Sequence, residues 1–208
     1  MNRTPVQREP STTLPVLKTA RVHLRDHRPD DLDAMRPVWG DTEGMRHLST
    51  GVMDDTRIRR KLDEAMATAA ELPRRHYQLA ACLRGDDRPV GGIRLTVEDA
   101  TTGYAGVFTM ARNLRGSGCA PDIGWLMLKL AFAELGLDRV RSMTSVANTD
   151  AVRAITRFGF TPTGETEQYF PEADTTMRLV TMEVRADAWR AMPVPAGPAH
   201  PAGPTGLS

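Results

Sequence analysis

A chain of 208 residues, 40% hydrophobic and 25% charged, can bury a real core with no staple to hold it. Its 27 Lys and Arg against 26 Asp and Glu leave a formal net charge of +1, so no broad field draws it to nucleic acid or to an anionic membrane. Cys82 and Cys119 are too few and too far apart for a disulfide framework or a zinc site; with no apolar signal core and no bilayer-spanning run of roughly 20 apolar residues, a metal-free cytoplasmic protein is expected.

One folded domain is expected over residues 15–192, between a polar, Pro-containing segment at 1–14 and a Pro, Gly and Ala-rich tail at 193–208, both expected to be disordered. Val22 and Leu24 alternate with polar neighbours as a first strand. PDDLDAMRPVW follows as a helix, with Leu32, Met35 and Trp39 at helical spacing behind an Asp cap. DDTRIRRKLDEAMATAAEL repeats the logic, with Ile58, Leu62, Met66 and Ala69 as its stripe behind an Asp or Thr cap. From Tyr77 the period becomes two: YQLAACL, a turn at Gly85 to Asp87 and VGGIRLTV make a hairpin, and YAGVFTMA adds a third strand. IGWLMLKLAFAEL is apolar nearly all round and predicts a buried helix ended by Gly136. RVRSMTSV reads as a strand, DAVRAITRF as a helix stopped at Gly159, and GETEQYF with MRLVTMEV as a last pair of strands. An α/β (α+β) fold results: a mixed, mostly antiparallel sheet with helices on both faces and one parallel step where the buried helix crosses over.

The informative segment is the loop Arg115, Gly116, Ser117, Gly118, Cys119, Ala120, between a strand and the buried helix. Glycines let the backbone approach a ligand, and the loop amides and helix N-terminus converge on one spot, suited to a pyrophosphate. Each charge-assisted amide bond contributes about 1.5–3 kcal/mol, so three or four anchor a cofactor. A tight strand-to-helix turn would also use two glycines, so context decides between the readings.

That context is the order and spacing of LKTARVHLRDHRPDDLDAM, GMRHLSTG, PVGGIRL, LRGSGCAPD, AFAELGLDRV and SVANTDAVRAITRFGFTPTGE. Over about residues 16–190 the chain resembles the GNAT superfamily of N-acetyltransferases, and within it the branch of ribosomal-protein N-terminal acetyltransferases. The resemblance implies transfer of an acetyl or similar acyl group from acyl-CoA, a co-substrate and not a metal, onto an amine. It implies that Arg115 to Ala120 hold the pyrophosphate and that Thr109, Met110 and Ala111 pair their backbone with pantetheine. A splayed strand there aims an amide at the thioester carbonyl. Asn148 stands where the family faces an Asn to the pantetheine arm, although a helix cap is the ordinary use of such a residue.

Acyl transfer needs a neutral amine and a proton for the departing thiolate. Where many members carry a Tyr acid this chain has Ile155, and no carboxylate lies on Phe108 to Ala111. An α-amino group with a pKa near 8 is an easier substrate than a Lys amine, which costs about 3–4 kcal/mol to deprotonate. Glu98, Asp99 and His47 are the candidates to hold a water as base. Tyr169, in the last hairpin, is the candidate beside the acceptor, which the resemblance places near Met45, His47, Leu48 and Met53. Cys119 reads as a loop residue and not as a nucleophile, with no His near it in sequence. The acceptor is a small-molecule amine or a peptide N-terminus, and a homodimer is allowed. Two rivals stand: a non-catalytic acyl-CoA-binding module, and a transferase whose donor is aminoacyl-tRNA or a carrier-protein thioester. The second would use a basic docking surface that a net charge of +1 does not offer.

Overall fold

Alternation at His76–Leu83 (β3) and Pro89–Val97 (β4) makes the central hairpin of the sheet. The computed structural model describes residues 14–195 apart from 47, 49, 107, 115, 172 and 173, so most of the 1–14 and 193–208 segments lies outside the described residues. Seven further strands join the hairpin: Leu17–Lys18 (β1), Val22–Asp26 (β2), Thr102–Ala105 (β5), Thr109–Met110 (β6), Arg139–Ser145 (β7), Thr161–Phe170 (β8) and Thr175–Arg185 (β9). The order is β1-β2-β3-β4-β5-β7-β9-β8, with β6 beside β4. All pairs are antiparallel except β5 with β7, the expected parallel step.

That step is made by the helix Cys119–Lys129 (α4), which buries Ile123, Leu126 and Leu128 against Leu79, Ile93, Leu95 and Val140 of the sheet. The expected single helix ends differently: its last turn, Leu130–Glu134, is π-helical, closed by the Leu135 N–H on the Leu130 carbonyl at 2.9 Å. Leu32–Trp39 (α1), the short Thr42–Met45 (α2) and Asp55–Ala69 (α3) contribute to a second cluster that includes Met35, Trp39, Ile58 and Leu62. Asp54 caps α3 through the Arg57 N–H, as expected. The buried stripe of α3 runs through Ile58, Leu62 and Ala65, while Met66 sits on its shoulder. Thr149–Arg157 (α5) and Ala186–Arg190 (α6) complete the fold. None of the residues of α5 is buried, although Val152 and Ile155 touch the core. An amphipathic helix is thus left with its apolar side uncovered.

The expected third strand is broken. Leu95 faces Ala105 and Gly92 faces Thr109, so three steps on β4 meet four on the other strand, a register shift that counts as a bulge between Ala105 and Thr109. At this close approach a Cβ on Gly91 would lie 2.2 Å from the Thr109 carbonyl oxygen, backbone against backbone. Gly91→Ala must therefore push β6 off β4, at a cost of about 1–3 kcal/mol. Urea titration should show a lower midpoint at an unchanged slope; an unmoved midpoint would show that the contact is not tight.

Candidate functional site

The sheet opens where its parallel pair ends. Ala105 and Ser142 are the last partners of β5 and β7, tied by Ser142 Oγ donating to the Ala105 carbonyl at 2.9 Å. Beyond them β7 follows β9, whereas β6 follows β4. The Ala111 N–H donates to the Val90 carbonyl at 2.7 Å, so alternation makes Met110 opposite Gly91 the pair without ladder bonds. The N–H and C=O of Met110 consequently point away from β4, into the gap. An extended chain carrying amides can pair with them as a strand would. Thr109 is held from behind, its Oγ1 accepting from Trp39 Nε1 at 3.1 Å.

The gap leads into a cavity of about 340 Å³ whose walls include Ala120 and Gly124 of α4, Ser142 of β7, and Asn148, Ala151 and Ile155 at α5. The uncovered side of α5 is this wall. At one end stands the glycine loop. Gly116 and Gly118 both have φ near +81°, and Gly118 is the N-cap of α4. Ser117 Oγ donates to the Leu114 carbonyl at 2.6 Å and accepts the Cys119 N–H at 3.3 Å. The amides of Gly116, Gly118 and Ala120 carry no hydrogen bond among the described residues. Three donors with no partner among the described residues, around a helix N-terminus, suit a diphosphate. The Cys119 side chain is sealed in the core, which leaves its backbone as its contribution. Arg21 braces the loop: its guanidinium lies over Gly118 and binds Asp122 at 2.5 and 3.1 Å, and the buried Asp122 also accepts from Thr19 Oγ1 at 2.6 Å.

Asn148 does both things expected of it. Its Oδ1 caps α5 by accepting the Ala151 N–H at 3.2 Å, and the residue lines the cavity. The other polar candidates fall elsewhere. Tyr169 is 55% exposed and donates its hydroxyl to Asp174 at 2.7 Å, while its neighbours Gln168 and Phe170 line the cavity. Strand alternation sends Tyr169 to the opposite face. Glu98 stands at the β4–β5 turn, 3.5 Å from Arg141, at the end of β5 remote from the gap. Asp99 holds that turn by accepting the Thr101 and Thr102 N–H groups at 2.8 and 2.9 Å, which lowers its carboxyl pKa. Neither lines the cavity. His47 and Arg115 lie outside the described residues. Of the segment expected near the acceptor, Leu48 lines the cavity, whereas Met45 and Met53 are buried in the second cluster.

The sequence reading missed Arg94 and Tyr104, which both line the cavity. Arg94 turns over the bulge: a Cβ on Gly106 would lie 2.6 Å from its Nε, and its carbonyl accepts the Gly106 N–H at 2.8 Å. The Tyr104 hydroxyl is pushed above its ordinary pKa by burial, with the Arg94 and Arg141 cations pulling it down and the Glu98 carboxylate pushing it up. Away from the cavity, ligand atoms of His23, Cys82 and Asp87 lie within 4.8 Å of one another. That trio is a poor metal site. Asp87 is already paired with Arg25 and Arg28, and burial pushes the Cys82 thiol up to about 12, so it stays protonated. Among the described residues no helix is long and apolar enough to cross a membrane.

The family model described as acetyltransferase (GNAT) domain matches residues 21–161, well over half of the chain. No curated protein matches the sequence. Among solved structures, a probable GNAT-family acetyltransferase from Chromobacterium violaceum superposes with a TM-score of 0.74 at 20% identity, over 92% of this chain and 96% of that one. A spermidine N-acetyltransferase from Vibrio cholerae in complex with CoA and spermine gives 0.68 at 14%, over 83% and 99%. A ribosomal-protein-serine acetyltransferase from the same organism, so described provisionally, gives 0.67 at 12%, over 86% and 99%. At such identities the likeness is one of fold.

Proposed function

Because the chain belongs to the GNAT acetyltransferase family, whose members carry an acetyl group from coenzyme A to an amine, we propose that the gap beyond Ala105 and Ser142 is where it performs this transfer. The observation that carries the reading is a pair of backbone sets with no partner among the described residues: the amides of Gly116, Gly118 and Ala120, of which Ala120 lines the cavity, and the N–H and C=O of Met110, which face the gap beside β4. The first set fits a diphosphate and the second fits pantetheine. Thr109 and Ala111 fix the strand that presents Met110, Ser117 and Cys119 shape the turn, Arg115 belongs to the same loop, and Asn148 and the apolar side of α5 cover the arm.

Acetyl-CoA supplies the thioester carbonyl that the amine attacks and the C–S bond that breaks. The chain's residues do the rest. With acetyl-CoA bound, the strand of Met110 would hold the thioester carbonyl at the gap, where Arg94 and Tyr104 line the cavity. Tyr104 lines the cavity, and like any phenol it holds its proton at neutral pH, the more so as burial raises its pKa, so it can donate to the departing sulfur and recover a proton from solvent. A water takes the amine proton; His47 remains a candidate to hold it, whereas the placement of Glu98 and Tyr169 gives them no such contact with the cavity. The acceptor is a small-molecule amine or a peptide N-terminus.

A panel of amines, peptides with free N-termini included, should release CoA thiol from acetyl-CoA in the presence of the protein, and only when an amine is present. Tight binding of acetyl-CoA with no turnover of any amine would instead identify a binding module.

A further inference from the structure

The acceptor end of the groove has an unusual charge. Among the described residues lining the cavity, Arg94 is the one charged side chain, and no Asp or Glu lines it. Other arginines of this fold are tied down: Arg21 to Asp122, Arg25 to Asp31 and Arg74 to Asp26, at 2.5–2.7 Å. Arg94 is exposed and has no carboxylate partner among the described residues. Its place is fixed all the same, by the strand it stands on and by its packing over Gly106 at the bulge.

Position decides what that cation can meet. Arg94 lies opposite Gln78, whose side chain reaches Thr68 of α3 at 3.5 Å, so it stands on the α3 side of the sheet. The glycine loop opens α4, which packs on the other side. Arg94 is therefore across the sheet from the three amides that suit the diphosphate, at the apex where the acyl group ends and the amine arrives. Leu48, Phe170 and Met177 meet it there from the α2–α3 segment and the β8–β9 hairpin.

We propose that Arg94 is the anion receptor of the acceptor subsite, and that the acceptor is an amine with an apolar body and a carboxylate or other anionic group. This rests on reading the groove as an acetyl-transfer site. A guanidinium offers a carboxylate two parallel donors in a fixed fork, and such charge-assisted bonds are roughly twice as strong as neutral ones. The same wall disfavours polyamines, because a second ammonium would face an arginine and find no acid among the described lining residues. It also helps the chemistry: a cation near the incoming ammonium favours its neutral form, the one that carries the lone pair.

The test uses the whole protein with acetyl-CoA and thiol detection. The acceptors are apolar α-amino acids and ω-amino carboxylates, each beside its own carboxamide, together with spermidine. The carboxylates should exceed their carboxamides in kcat/KM by about 10-fold or more, the scale of one hydrogen bond to a charged group. In Arg94→Gln that ratio should fall to about one, and Arg94→Lys should keep part of it. A preference for spermidine, or a ratio that Arg94→Gln leaves unchanged, sinks the anion receptor while acetyl transfer stands. Failure to acetylate any amine sinks both.

Discussion

Gly118→Asp should weaken acetyl-CoA binding by about 100-fold or more, through the loss of at least two charge-assisted amide bonds of about 1.5–3 kcal/mol each. The reasons converge on one backbone position. Gly118 has φ +81°, where a side chain costs about 1–2 kcal/mol, so the substituted turn tends to flip out of the left-handed region and turn its amide away. A Cβ there would also press on the Arg21 guanidinium, 3.2 Å from its Cζ. Finally, the new carboxylate would sit in front of donors that suit a diphosphate and repel it. Gly116→Ala separates these effects. It shares the φ of +81°, yet nothing lies within 4 Å of its added Cβ and it brings no charge, so it should lose much less. Calorimetric titration with acetyl-CoA reads both variants, and a thermal melt shows that each is folded. Equal affinity for wild type and Gly118→Asp would remove the loop from the binding site.

How far the site could be read in advance depends on whether its parts are local. The glycine loop, the cap at Asn148 and the buried character of α4 are local matters of residue type and spacing, and the chain shows them directly. The break between β5 and β6 is different. YAGVFTMA has the alternation of one strand, and what interrupts it is a register mismatch with β4 that depends on Gly91 allowing a backbone approach. Arg94 and Tyr104 line the cavity that opens at this break, and one continuous strand gives no reason to single out either. Tyr169 shows the converse. It is in the expected hairpin, but the side it faces depends on parity within the strand, and Gln168 and Phe170 hold the inward places. Arg21 and Asp122 are 101 residues apart, and nothing local marks them as partners.

The second large effect concerns the proton that the thiolate needs. Ile155 takes a wall position in α5 and offers no proton, so the acid must come from another element that reaches the same cavity. Among the described lining residues Tyr104 is the one phenol. Tyr104→Phe removes a single oxygen from a partly buried ring, so the fold and the affinity for acetyl-CoA should persist while kcat falls about 100-fold, at the low end of what general acids supply. The pH profile distinguishes this role from a packing one. Burial raises the folded pKa of Tyr104, so its proton is retained through neutral pH and lost only above the ordinary phenol value near 10. The wild-type rate should rise as the acceptor amine deprotonates and decline only in that alkaline range. In the Phe variant the lower rate should rise to a plateau with no alkaline decline, since the group that ionises there is gone. A kcat within threefold of wild type, with the alkaline limb intact, would mean that water protonates the sulfur and that Tyr104 is a wall and no more.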